Sequence, residues 1–451
     1  MFLKDNTIFH DINLTGTSRF IPIWISVVLF LLMLGCSSIK IESGRNGQAT
    51  SQKNTPENLF NVSGQIVTDQ QIRSVQLFKN NNPDSPPIIE LNSSDKLHLR
   101  FDYMDVSSKQ FVITFSHHNI DWSPSSLAPS DITQGIRRIY MNTGIVNSNE
   151  RPIYRSFSAV LPNEQVTFLR SGNYMLRVED ADTGFLVMSL PFFIFENEGS
   201  IESSVEFLQS PRQNLRALHR PVNRYKIPES VEQPQFDLSF RIAQNRFWGR
   251  ARTPSETDFS SPGSVMFEME QERAFIADYY FHPLFASELS LSNPRVIDLF
   301  PEEIPPRILL GDDTANLANL SGRTLPNSAF GLPDRNSDAE YLNIVFSLDT
   351  EDTPEAGDSV FLIGDFTGWA LRSENRLSYN EDTKRWQTSA IIKEGEYKYK
   401  YVMVKENEID DLIFDPLFER TKQEYYVFVY QQDKNEFYDR LLQVNTVIAG
   451  S

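Results

Sequence analysis

Cysteine is all but absent. Cys36 is the single one in 451 residues, so no disulfide can form within the chain. Positive charge is also scarce: 42 Lys and Arg stand against 60 Asp and Glu, a net charge of -18. That balance argues against nucleic acid, which draws basic proteins through its phosphates, and against a peripheral grip on anionic lipid. Long apolar runs are missing apart from one near the start. Helical stripes with caps are missing too. The chemistry-bearing motifs Gly-x-Ser-x-Gly, Gly-x-Gly-x-x-Gly and the phosphate-binding loop do not occur, nor does a His-x-x-x-His helix for zinc.

The one apolar run, Phe20 to Leu34, spans 15 residues behind Arg19. That is short of the roughly 20 residues a bilayer span needs and suits the hydrophobic region of a secretory signal. It ends in Met33-Leu34-Gly35-Cys36, which resembles a bacterial lipobox. Residues 1–35 are therefore expected to be a signal peptide, with Cys36 the site of lipid attachment. A plain signal peptide or an uncleaved anchor is the other reading. Residues 37–58 are polar with almost no core-forming side chain, so 36–58 reads as a lipid-anchored flexible tether.

What remains is rich in Phe and Tyr, 33 and 16 residues, and leans towards β-structure. From 59 to 199 the alternation has period two. Leu97, Leu99, Phe101 and Tyr103 share a face opposite His98, Arg100 and Asp102. Leu186 to Phe195 suits a buried strand, although Pro191 argues for an edge or a bulge. A middle block, 200–336, shows alternation at Phe236, Leu238 and Phe240 and at Val265, Phe267 and Met269. After Leu299 it becomes rich in Pro, Asn and Gly and reads as an excursion or linker. A third block, 337–432, sets Tyr397, Tyr399, Tyr401 and Met403 opposite Lys398 and Lys400. Residues 433–451 read as a mixed tail. The expected fold is all-β, with tandem antiparallel, immunoglobulin-like β-sandwich domains behind the signal peptide and tether.

Two constellations invite chemistry. His117 and His118 are adjacent, but on a strand they point to opposite faces and do not share an ion easily. No metal, cofactor or catalytic residue is assigned. Phe361 to Trp369, with Lys393 to Tyr401, resembles the early-set, immunoglobulin-like glycogen-binding modules, which stack aromatic rings on sugars. Trp369 then becomes a candidate binding residue. As a structural ring it would instead pack beside Phe366 and Leu371. A second tryptophan platform is missing from Val404 to Asn407.

Several pieces, taken in order, give a wider resemblance. They are Ile72 to Phe78, His117 to Trp122, Phe168 to Tyr174, Gln244 to Trp248, Ala339 to Tyr341, Gly364 to Trp369 and Tyr438 to Leu442. Together they resemble the plug proteins of the Bacteroidota type IX secretion system. That resemblance implies a non-catalytic periplasmic stopper. It also implies a partner, the giant outer-membrane β-barrel translocon; the lipobox in turn implies a membrane anchor through Cys36, and the acidic charge argues for no nucleic acid. An outer-membrane lipoprotein holding polysaccharide through its C-terminal block is the alternative.

Overall fold

A computed structural model describes residues 59–105, 107, 109–147, 151–209, 217–277, 279–314, 332–333, 339–350, 354–355, 357–406, 408–415, 421–435 and 437–449. Cys36, with the stretches expected as signal peptide and tether, lies outside them.

The expected β-architecture is present. In the first sandwich, β1 (Ile72–Lys79), β2 (Leu97–Tyr103) and β4 (Tyr154–Leu161) make one sheet, with β1 at its edge. β3 (Phe111–His118), β5 (Gly172–Asp180) and β6 (Leu186–Phe195) make the facing sheet. Leu97, Leu99 and Phe101 of the first sheet meet Ile113, Leu176 and Leu190 of the second in one core. This is the alternation legible in the sequence. Pro191 sits inside a paired strand rather than at an edge. On the far side of β6, Ile66–Val67 pairs up to Ser189, and Ile88–Glu90 resumes pairing, in parallel, from Phe193. The break in that ladder falls at Pro191, which has no N–H to donate.

The middle sandwich sets Ser200–Leu208, β7 (Leu218–Lys226) and β9 (Ser264–Glu268) against a second sheet that holds β8 (Leu238–Gln244). Phe240 packs in this core, whereas Phe236 is 83% exposed in a four-residue helix, so the alternation does not extend to it.

The third sandwich pairs β10 (Arg307–Thr314) in parallel with β11 (Tyr341–Asp349). The stretch expected as linker therefore supplies a strand. Facing that sheet are β12 (Ser359–Gly364) and, beyond β13 (Ser378–Asn380) and β14 (Arg385–Lys393) of the β11 sheet, β15 (Gly395–Lys405).

The chain ends in a hairpin of β16 (Gln423–Gln432) and β17 (Asp439–Ala449). β16 pairs with β8 over Leu238–Gln244, so the end of the chain completes the middle sandwich. The residues after 433, expected as a tail, include the buried Leu441 and Leu442. The hairpin sheet is covered on both faces. Val427, Val429 and Leu442 face the middle core, while Tyr426, Phe428, Tyr430 and Leu441 face the first sandwich. That explains an apolar run in β16 with no solvent face.

Candidate functional site

Most pieces of the family resemblance are far apart in sequence, and the fold gathers them at three seams between sandwiches.

At the first seam, β5 and β6 lie against the C-terminal hairpin. Phe193 packs its ring 4.8 Å from Phe428 and 5.1 Å from Trp248, centroid to centroid. Polar groups fix the register beside this apolar contact. Tyr430 donates to Asn173 Oδ1 at 2.8 Å, Leu441 N donates to Ser171 Oγ at 3.1 Å, and Ile120 N donates to Asp439 Oδ2 at 2.9 Å. Arg440 forms an ion pair with Glu196. His117 is buried here. Its Nε2 lies 2.9 Å from the Ser171 carbonyl, its ring packs on Tyr174 and Tyr438, and burial pulls its pKa down to about 4. His118 turns the other way, with Nδ1 2.9 Å from the Trp122 carbonyl. Gly172, at φ 132°, lies against the His117 ring, and a Cβ there would collide with it. Among the described residues no group of three or more His, Cys, Asp or Glu is placed to hold a metal ion.

The second seam contains Trp369. Gly364 N donates to Thr367 Oγ1 at 3.0 Å, and Gly368 takes the left-handed conformation, which closes the Gly364–Trp369 turn. The Trp369 ring turns inward, 4% exposed, against Phe247 at 5.1 Å and Phe281 at 5.3 Å. Leu371 joins this cluster, whereas Phe366 packs on the third sandwich's own core. Stacking on sugar needs an open ring face, and this ring has none. Its Nε1 donates to Asp365 Oδ1 at 3.1 Å, and Lys398 N donates to Asp365 Oδ2 at 2.6 Å. Burial nonetheless pushes the Asp365 carboxyl up to about 7, the two hydrogen bonds pulling the other way. Nearby, Arg250 lies 3.6 Å over the Phe60 ring and donates to Asp411 at 2.5 Å. Lys398 and Lys400, on the face opposite Tyr397, Tyr399 and Tyr401, are both buried. The far face of β15 is covered, and Lys400 pairs with Asp415 at 2.7 Å.

The third seam joins β1, β2 and β4 to β11 and β14. Asp102 is buried between them. It accepts from Tyr341 OH at 2.8 Å and Lys393 Nζ at 3.0 Å on one side of the seam, and from Ser156 at 2.6 Å on the other. Tyr154 donates to the Ala339 carbonyl at 3.0 Å, and Lys393 lies 4.5 Å over the Tyr154 ring. The sequence placed Asp102 on the polar face of an alternating strand. Alternation alone does not distinguish a solvated face from one covered by another domain.

These buried polar groups join sandwiches to one another. The class is thus an all-β protein of tandem sandwiches locked by charged and aromatic seams. Residues 72–196 match the family described as Type 9 secretion system plug protein 1st domain, so the first sandwich is a domain of that family. The match supports a plug role related to type IX secretion, association with that system and an envelope or periplasmic location; the family is a secretion component and not a known enzyme family. A crystal structure of a hypothetical protein from Parabacteroides merdae ATCC 43184 has a similar fold, with TM-score 0.74 at 20% identity, covering 85% of this chain and 98% of that one. The C-terminal domain of the Streptococcus agalactiae AgI/II polypeptide BspA aligns with a TM-score of only 0.16 at 7% identity, over 84% of this chain and 99% of that one, and carries no argument. No curated protein matches the chain.

Proposed function

We propose that this chain is a non-catalytic periplasmic plug that closes the giant outer-membrane translocon barrel of the type IX secretion system. The observation that carries this reading is the family match over residues 72–196. The seams supply the physical reason. A stopper for a wide barrel has to resist deformation, and three sandwiches sharing apolar and ion-paired seams move together rather than as beads on linkers. A polysaccharide-binding role through Trp369 loses support, since that ring is enclosed. Deleting the chain from its host is expected to admit a large hydrophilic dye across the outer membrane. Unchanged permeability in a strain with an intact translocon would sink the proposal.

Cys36, acylated after removal of residues 1–35, would hold the plug to the outer membrane on its periplasmic side. Cys36→Ser should then move the mature chain to the soluble periplasm. If the variant stays with the membrane in cells lacking the translocon, the lipid tether is the wrong explanation.

A further inference from the structure

Beside the third seam the structure has an open cleft of about 320 Å³, at the lower end of the roughly 300–1,000 Å³ usual for ligand clefts. Its two long walls are strand edges. One is β1, whose residues Ile72 to Val75 line the cleft in succession; β1 has β2 as its sole strand partner among the described residues. The other is β14, whose residues Ser389 to Lys393 line it in succession. β14 pairs with β11 along this length, but β13, on its other side, reaches only Arg385 to Gln387. Two strand edges thus face one groove, and the described residues add no strand to either. Such edges are templates for a further strand.

The charged groups lining the groove are Arg73, Arg372 and Lys393 on one side of the balance and Asp365 and Glu374 on the other, and Lys393 is already paired with Asp102. Arg73 donates to its neighbour's carbonyl, Ile72 O, at 3.0 Å and pairs with no carboxylate among the described residues. Arg372 reaches Glu374 at 3.6 Å. Burial, with the nearby Arg73 charge adding to it, holds the Arg372 guanidinium below its ordinary range. A β-bulge between Arg73 and Gln76, with Ser74 at φ 50°, bends this part of β1. Asn375, 4% exposed, also lines the cleft.

We propose that this cleft binds an extended, acidic polypeptide segment, which adds as a strand to the free edge of β14, lies against β1 and places a carboxylate between Arg73 and Arg372. The β14 edge supplies main-chain hydrogen bonds without sequence preference. The two guanidiniums select carboxylate. The occupant is a partner polypeptide, and the inference rests on the cleft alone, independent of the plug reading.

The test uses the purified chain from residue 37 and three labelled octapeptides, followed by fluorescence anisotropy at low salt. One peptide alternates Glu with Val or Thr, the second has Lys in place of Glu, and the third has the first sequence with two central prolines. The Glu peptide should bind, the Lys peptide should not, and the proline peptide should bind much more weakly. Loss of one charge-assisted contact in Arg73→Ala or Arg372→Ala should weaken binding by about tenfold. Arg73→Gln and Arg372→Gln serve where an alanine variant fails to fold. Hydrogen exchange should slow at residues 72–75 and 389–393 when the Glu peptide is added. Equal binding of the Glu and Lys peptides, equal binding of the proline peptide, protection elsewhere or no binding at millimolar peptide each overturns the proposal.

Discussion

Replacing Trp369 separates a structural ring from a sugar platform. The side chain is 4% exposed and packs on Phe60, Phe247 and Phe281, with ring centroids 6.0, 5.1 and 5.3 Å away. Trp369→Ala removes the centre of that cluster, and a cavity of this kind costs about 3–5 kcal/mol. Trp369→Phe keeps most of the packing but removes the N–H that Asp365 accepts. A hydrogen bond to the ionised form favours it. Without it the carboxyl, already pushed up to about 7, rises further. The cost of Trp369→Phe should therefore be greater above pH 7 than below it, on the order of 1–3 kcal/mol where the carboxylate is charged. Urea unfolding followed by far-ultraviolet circular dichroism at pH 6 and pH 8 reads both variants, and retention on immobilised α-glucan is measured beside it. Wild-type retention on glucan, abolished by Trp369→Ala at unchanged stability, would refute the reasoning.

The Lys400–Asp415 pair, 0% and 2% exposed, carries the second expectation. Lys400→Met should cost about 3–5 kcal/mol by leaving a buried carboxylate without its cation, and adding Asp415→Leu should recover much of it; a loss under about 1 kcal/mol for the single variant counts against the ion pair. A third expectation concerns acid. Burial holds His117, His219 and His282 down at about 4, against an ordinary value near 6.5. The unfolded chain therefore takes up protons that the native chain refuses, so this stability is full above pH 6.5 and falls as pH drops towards 4. Asp365 has the opposite sign. Raised to about 7 from 3.8, it favours the fold at low pH and loses that contribution as pH rises through 7. Three histidines outweigh one carboxyl, so denaturant unfolding should show a net loss on the order of 4 kcal/mol between pH 8 and pH 4.5. Unchanged stability over that range would contradict the buried, neutral imidazoles.

The strands of the first sandwich were legible because each buries one face, and period-two alternation then marks both the strand and its core side. Legibility failed where a second domain covers the other face. Asp102, Lys398 and Lys400 have the spacing of solvated residues, yet they lie in seams. β17 was hidden for a related reason: it is buried by pairing with β16 and packing on the first and middle sandwiches, most of them partners remote in sequence. The same holds for β10, which pairs in parallel across a long connection. Trp369 was legible as the key residue of its turn, but whether its ring faces water depends on Phe60 and Phe247, which the local sequence does not contain. The cleft between β1 and β14 had no sequence signal, because it arises from two strand edges brought side by side.

The central claim is that this chain closes a secretion barrel, and its most direct test is recovery of the tagged chain from solubilised outer membranes of its host. A very large β-barrel protein should come with it in stoichiometric amount, and the three-seam body should remain intact in the complex. Recovery of glycan-processing proteins alone, with no barrel, would contradict it.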